Sequence, residues 1–301
     1  MISIIIIFTA SLFFLGIVNK TRSLVSGRKG PGIFQPVKDI LRLFGKGSVY
    51  SSTSSYIFRI APSIYFASVV IAIFMVPHGN VPGIISFNGD FIMFAYLLGL
   101  GKFLMIVAAL DTGSSFEGMG ASREALFSML IEPAFFILMG SFALFTGYTS
   151  FYSIFNTLHF GNHISYLIGG LSTFVLLLIA MTESSRMPVD DPKTHLELTM
   201  IHEVMILDNS GIDLAMIMYA TLLKMVMYGS LITNFFIGGL PLFMSIPMFF
   251  MIQGSLAICI GLIESFMARF RMNHNPQYIL MLTSVSLLVF FVVLLILTKF
   301  N

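Results

Sequence analysis

Eight long apolar runs, separated by short polar segments, leave this chain few ways to fold. They cover residues 2–18, 60–76, 91–110, 126–146, 166–182, 214–237, 242–263 and 278–297. Each is close to the roughly 20 residues a helix needs to cross the hydrocarbon core of a bilayer. Water could not be the solvent for such a chain. Only 10% of the 301 residues are charged, against about a quarter in an average soluble domain, and the mean hydropathy is +0.94. Too little polar material is present to cover so much apolar mass. In lipid every backbone polar group must be satisfied internally, which leaves helices and closed barrels. A barrel requires short strands of alternating polarity, and these runs do not alternate. The expected fold is therefore all-α: a polytopic membrane helix bundle of about eight transmembrane helices, a single membrane domain over 1–301, and not a soluble enzyme.

The first run is read as a helix that stays. No basic segment precedes it and no small-residue cleavage site follows it, whereas Lys20, Arg22, Arg28 and Lys29 come after it. A lone cysteine, Cys259, builds neither a disulfide nor an iron–sulfur cluster. Any electron-transfer cofactor is thus expected in another subunit. A formal charge of +2 is too small to indicate nucleic acid.

Lysine and arginine in the short loops set the orientation. Between the first two runs lie Lys20, Arg22, Arg28, Lys29, Lys38, Arg42, Lys46 and Arg59 against one acid, Asp39. Arg269 and Arg271 follow the seventh run, while the loops around 77–90, 147–165 and 238–241 carry no Lys or Arg. Both termini are expected outside, with cytoplasmic loops at about 19–59, 111–125, 183–213 and 264–277. Within the first of these, Ile33, Val37, Ile40, Leu41 and Phe44 share one helical face that excludes Lys38, Asp39 and Arg42. That pattern predicts a short amphipathic helix lying along the inner membrane surface.

Ionisable residues inside a membrane are costly and tend to be functional. Glu132, followed by a helix-kinking Pro133, is expected to face the bundle interior and handle protons, or else to pair with Arg123 or Lys102. Lys102 lies mid-helix and calls for an interior partner. Lys224 is a relay residue or a plain ion-pair member. The segment from Asp111 to Glu124 holds three glycines, which predict a shaped loop rather than a helix, and carries Glu117, Arg123 and Glu124. It lacks the Lys-Ser/Thr ending and the preceding strand of a phosphate-binding loop.

The third cytoplasmic loop is acid-rich, with Glu183, Asp190, Asp191, Glu197, Glu203 and Asp208 against Arg186 and Lys193. A short helix is expected within 194–207. His195, Glu197, His202 and Glu203 are metal-ligand types, yet a zinc-protease helix needs a second histidine where Ile206 stands. Moving protons at the mouth of a helix bundle suits them better.

These loops also carry a resemblance. The chain resembles the membrane subunit shared by respiratory complex I (subunit 1) and the energy-converting hydrogenases, including formate hydrogenlyase. Arg28-Lys29-Gly30-Pro31-Gly32 with Gln35 and Asp39 looks like the family's first-loop signature. Arg123 and Glu132 match a paired arginine and glutamate. Glu183-x-x-Arg186-x-Pro188-x-Asp190 and Glu197-Leu198 match the long third loop. Leu110-Asp111-Thr112-Gly113-Ser114, Gly120-Ala121-Ser122-Arg123-Glu124 and Glu264-x-x-x-Ala268-Arg269-x-Arg271 look more like the hydrogenase side.

The resemblance implies an anchoring and coupling subunit of a redox-driven proton or sodium pump in a prokaryotic plasma membrane. Such a subunit holds no cofactor. Iron–sulfur clusters and a nickel–iron centre would sit in or beside partners: nickel–iron hydrogenase-like large and small subunits, iron–sulfur subunits and antiporter-like membrane subunits. Proton relay or coupling then falls to Glu117, Glu124, Glu132, Glu183, Asp190, Glu197, Glu203, Lys102 and Lys224. Structural pairing and docking fall to Arg28, Gln35, Asp39, Asp111, Arg123, Arg186, Glu264 and Arg269. Two alternatives stand beside this reading: a quinone-cavity subunit of NADH:quinone oxidoreductase and, more remotely, a stand-alone ion transporter, for which the repeated halves of such folds are missing.

Overall fold

The apolar runs fold into helices that outgrow them, because polar residues at the ends continue the hydrogen-bond ladder before a turn stops it. The computed structural model describes residues 2–158, 163–190 and 200–300. Its membrane-crossing helices are α1 (Ile2–Val25), α3 (Tyr56–Met75), α4 (Asp90–Asp111), α5 (Ser115–Thr146), α7 (His163–Glu183), α9 (Gly211–Ile237), α10 (Leu242–Phe266) and α11 (Asn275–Phe300). Seven of them are long and apolar enough to span by themselves; α7 is the eighth, with a shorter described apolar stretch at 167–183. Three short α-helices, α2 (Gln35–Phe44), α6 (Phe151–Thr157) and α8 (His202–Met205), and one 3-10 turn, Met272–His274, complete the described residues. Among the described residues there is no strand, only an isolated bridge between His78 and Val81.

Helix α9 is the axis of the bundle. It packs on α1, α3, α7 and α10, and residues from Leu222 to Phe235 are buried on every side. The peripheral helices bury one face and show the other to lipid, as Phe243, Met251 and Phe266 do on α10. The core is strongly aromatic: Phe94 stacks on Phe135 at 5.7 Å, and Phe155 meets Phe235 edge-on at 5.0 Å. Such pairs add about 0.5–1.5 kcal/mol each beyond area burial.

The amphipathic stretch of the first loop forms α2, opened by Pro36 in its first turn, where a missing N–H costs nothing. It lies against α1 and α9 at the end of the bundle that carries the basic loops, called here the basic end.

The expected loop at 111–125 is a correction. Only 112–114 turn, with Gly113 at φ +70°, and from Ser115 the chain is already helical. Gly118 and Gly120 both lie inside the helix, and Gly120 serves packing rather than flexibility. A Cβ on Gly120 would come within 2.8 Å of the Met205 backbone nitrogen and 2.9 Å of the Ile201 carbonyl. Glycine there lets α8 rest directly on the first turns of α5. Helix α5 therefore runs 32 residues, continuous through Pro133. Glu132 sits near its midpoint.

Candidate functional site

A lysine at the centre of a membrane helix costs about 2.5–3.5 kcal/mol, so its partners decide what it does. Two such lysines, Lys102 on α4 and Lys224 on α9, are buried at the same place and share one carboxylate. Lys102 Nζ lies 2.9 Å from Glu183 Oε1 and 3.1 Å from Glu124 Oε1. Lys224 Nζ lies 3.1 Å from Glu183 Oε2 and 5.2 Å from the centroid of the Tyr65 ring. Four helices thus meet in an alternating chain, Glu124–Lys102–Glu183–Lys224, with two carboxylates answering two ammonium groups. Glu183 is its hub, the last residue of α7, where the helix gives way to the third loop. The interior partner expected for Lys102 is present, and Lys224 is an ion-pair member stacked beneath an aromatic face.

Small cavities extend this chain in two directions. One of about 30 Å³, room for about one water, joins Lys102 and Glu183 to Tyr228, Gly99 and Glu132. Another of about 10 Å³ joins Lys102 and Glu124 to Ser185 and Asp190. Glu132 corrects one expectation in part. Its carboxyl borders the interior cavity, yet the residue is exposed on the flank of the α4–α5 pair, and it forms no ion pair among the described residues. Arg123 is not its partner; that guanidinium donates to the Met200 carbonyl at 2.9 Å and approaches Met119 Sδ at 3.2 Å.

The third loop is fastened from several sides. Asp190 Oδ1 meets Arg269 Nη2 at 2.8 Å, and its Oδ2 accepts the backbone N–H groups of Ile201 and His202. Arg186 Nη1 donates to Glu264 Oε1 at 3.3 Å, while Glu264 Oε2 faces Arg22 Nη1 at 3.7 Å. Glu117 Oε1 accepts the N–H of Asp208 at 2.8 Å. Asp111 Oδ2 accepts the N–H of Ser55 at 2.7 Å, closing the first loop onto α4. Gln35 and Asp39 bond within α2 at 2.8 Å, and Arg28 is exposed on the loop before it. His195 and Glu197 lie outside the described residues.

Between these fastenings lies a cavity of about 220 Å³, with Asn19, Arg186, His202, Glu203, Thr221 and Met225 in its wall. It opens at the basic end. Burial holds the His202 imidazole below the usual histidine range, against the pull of Glu124. Among the described residues no group of three or more His, Cys, Asp or Glu side chains is placed to hold a metal ion.

Sequence reasoning did not single out Tyr65 or Tyr228. Each looks like one more aromatic residue in an apolar run. Burial of Tyr65 against Lys224, and of Tyr228 beside Glu183 and Glu132, is visible only once the helices are assembled.

Residues 1–297 match the family described as NADH dehydrogenase. Hydrogenase-4 component C of Escherichia coli (strain K12) is 31% identical over 233 residues, which cover 77% of this chain and 73% of that protein. Formate hydrogenlyase subunit 4 of the same organism is 26% identical over 287 residues, 92% of each chain. A chain of the membrane-bound sulfane sulfur reductase, an archaeal respiratory membrane complex, has the same fold: TM-score 0.81 over 97% of this chain and 98% of that one, at 20% identity.

Proposed function

This chain belongs to the NADH dehydrogenase subunit 1 family, and from that premise we propose that it is the membrane-anchor and coupling subunit of a hydrogenase-type, redox-driven ion pump. It is a multi-pass membrane protein. In this reading it sits in a prokaryotic plasma membrane with both termini outside, and the basic end faces the cytoplasm. The third loop, with Arg186, Asp190, His202 and Glu203, receives a nickel–iron hydrogenase-like module and its iron–sulfur subunits. The chain's own residues carry charge, not electrons.

The observation that carries the reading is Glu183, shared by two buried lysines and one small cavity away from the flank-exposed Glu132. A change of charge beside Asp190 or His202 is felt by Glu124 and Lys102. It redistributes the pairing at Glu183 and alters the proton affinity of Glu132. A carboxylate on the flank of a membrane helix is poorly placed against lipid. It is well placed against an antiporter-like neighbour, to which it passes a proton or a change of field. Glu117 and Glu197 join this relay on the strength of the sequence alone.

The test is Glu132→Gln in the assembled complex, with redox turnover and ion translocation measured in the same vesicles. Turnover is expected to persist while ions moved per turnover collapse. Normal pumping by the variant would remove Glu132 from the relay.

A second reading, a quinone-reducing complex, draws on the 220 Å³ cavity, whose mix of apolar and polar walls suits a small amphipathic ligand. A quinone-site inhibitor that blocked turnover, and lost its grip in Met225→Trp, would favour it. Copurification of a nickel–iron subunit with the tagged chain would favour the first.

A further inference from the structure

A fourth cavity lies apart from the charged chain. About 180 Å³ in volume, it separates α2 from α1 and α9, with Ser11, Leu12, Tyr219 and Leu222 behind it and Val37 and Phe44 in front. Its walls are almost wholly apolar; the Ser11 hydroxyl is spent on the Phe8 carbonyl at 2.7 Å. An apolar cavity of this size accepts apolar guests. It is open on one side, since Leu41, which also lines it, is 64% exposed, and Phe44 is 39% exposed. Beside this opening, Lys38 and Arg42 stand four residues apart on α2, and Lys46 follows two residues past its end, all exposed. The only acid in residues 19–59 is Asp39, which is bonded to Gln35 and lies 4.0 Å from Arg42.

We infer that this cleft and its basic stripe form a binding site for one anionic phospholipid, an acyl chain in the cleft and the phosphate on Lys38, Arg42 and Lys46. Charge complementarity selects the occupant. A basic stripe beside an apolar face is the arrangement that binds anionic membrane surfaces, and here the apolar face has a hollow behind it. The bound lipid would fill the gap between α2 and α9, so α2 would be held through the lipid as well as through its own packing. The redox reading plays no part in this inference.

The intact complex, reloaded from vesicles of equal phosphatidylglycerol and phosphatidylcholine and then repurified, tests it by mass spectrometry of retained lipid. Wild type is expected to keep phosphatidylglycerol preferentially. The exposed triple substitution Lys38→Gln/Arg42→Gln/Lys46→Gln should lower that preference by about fivefold for each charge removed, with assembly unchanged. Leu12→Trp, which fills the cleft, should lose the retained lipid whatever its headgroup; if that variant does not assemble, the triple substitution decides alone. Equal retention of both lipids by wild type would overturn the site. So would unchanged selectivity in the triple variant, an uncharged quinone in the lipid's place, or a partner subunit seated over the cleft.

Discussion

At the basic end of the bundle four buried charges, Glu124, Lys102, Glu183 and Lys224, answer one another; at the opposite end Asp90 and His78 are buried against neutral groups. Asp90 Oδ1 accepts the Phe151 N–H at 2.7 Å and its Oδ2 accepts the Ser150 hydroxyl at 2.9 Å, so the carboxylate caps α6. His78 Nε2 lies 3.1 Å from the Ser245 hydroxyl, and Asn234 ties the same turn down through Gly79 and Pro77. Each of these six groups has a partner. The two ends differ in what a change of charge would do. Hydrogen bonds to backbone and hydroxyls hold one geometry, whereas an alternating row of ions rearranges whenever one member gains or loses a proton. The opposite end is built as a fixed clasp and the basic end as a responsive chain.

Glu183→Gln breaks the comparison most sharply. It strips Lys224 of its carboxylate and leaves Lys102 with Glu124 alone. Removing one partner of a buried ion pair destabilises by about 3–5 kcal/mol. Assembly yield and the thermal midpoint of the complex should fall steeply. Lys224→Met added to Glu183→Gln should recover much of the loss, because no uncompensated ammonium remains at that helix. If the single variant proved as stable as wild type, the hub would be surface-like and the chain would not be a coupled unit.

Asp90→Asn is the matched change at the clasp. An amide keeps one acceptor for the Phe151 N–H but gives up the charge-assisted character of both bonds, a loss of about 1–2 kcal/mol. The thermal midpoint should drop modestly, with ions pumped per turnover unchanged. Uncoupling by Asp90→Asn would mean that the opposite end takes part in the relay, and the division into clasp and chain would fail.

Much of this was legible in the sequence. The spans announce themselves because lipid tolerates no long polar interruption, and the basic loops mark one end because lysine and arginine are the residues that set orientation. Lys102 and Lys224 were recognisable as out of place in apolar surroundings, whereas Glu124 and Glu183 read as acids of cytoplasmic loops. Their pairing was not: Lys102 and Glu183 stand 81 positions apart, Lys224 and Glu183 41, and only helix packing brings them together. Gly120 misled in the other direction. A glycine that permits a turn and one that permits close helix contact read alike until the neighbour, here α8, is in view. Asp90 was overlooked because a carboxylate at the edge of an apolar run usually faces water, whereas this one is covered by α6.

The weakest effect bears on two buried histidines, one at each end. Burial lowers the proton affinity of both His78 and His202. A histidine held below its unfolded value binds fewer protons in the folded state than in the unfolded one, so stability rises with pH through that interval. The contribution is complete above about pH 6.5 and is lost progressively as the pH falls below it. Amide protection factors over 76–85 and over 201–205, which divide out the slower intrinsic exchange at low pH, should therefore fall on acidification. His78→Asn keeps a polar side chain opposite Ser245 but does not titrate, and it should remove the pH dependence from the first segment alone. The two responses should then part company during turnover. A clasp has no reason to change its exchange when the redox module works, whereas the segment bearing His202 borders the charged chain and should change. Equal responses at both ends under turnover would erase the distinction between them.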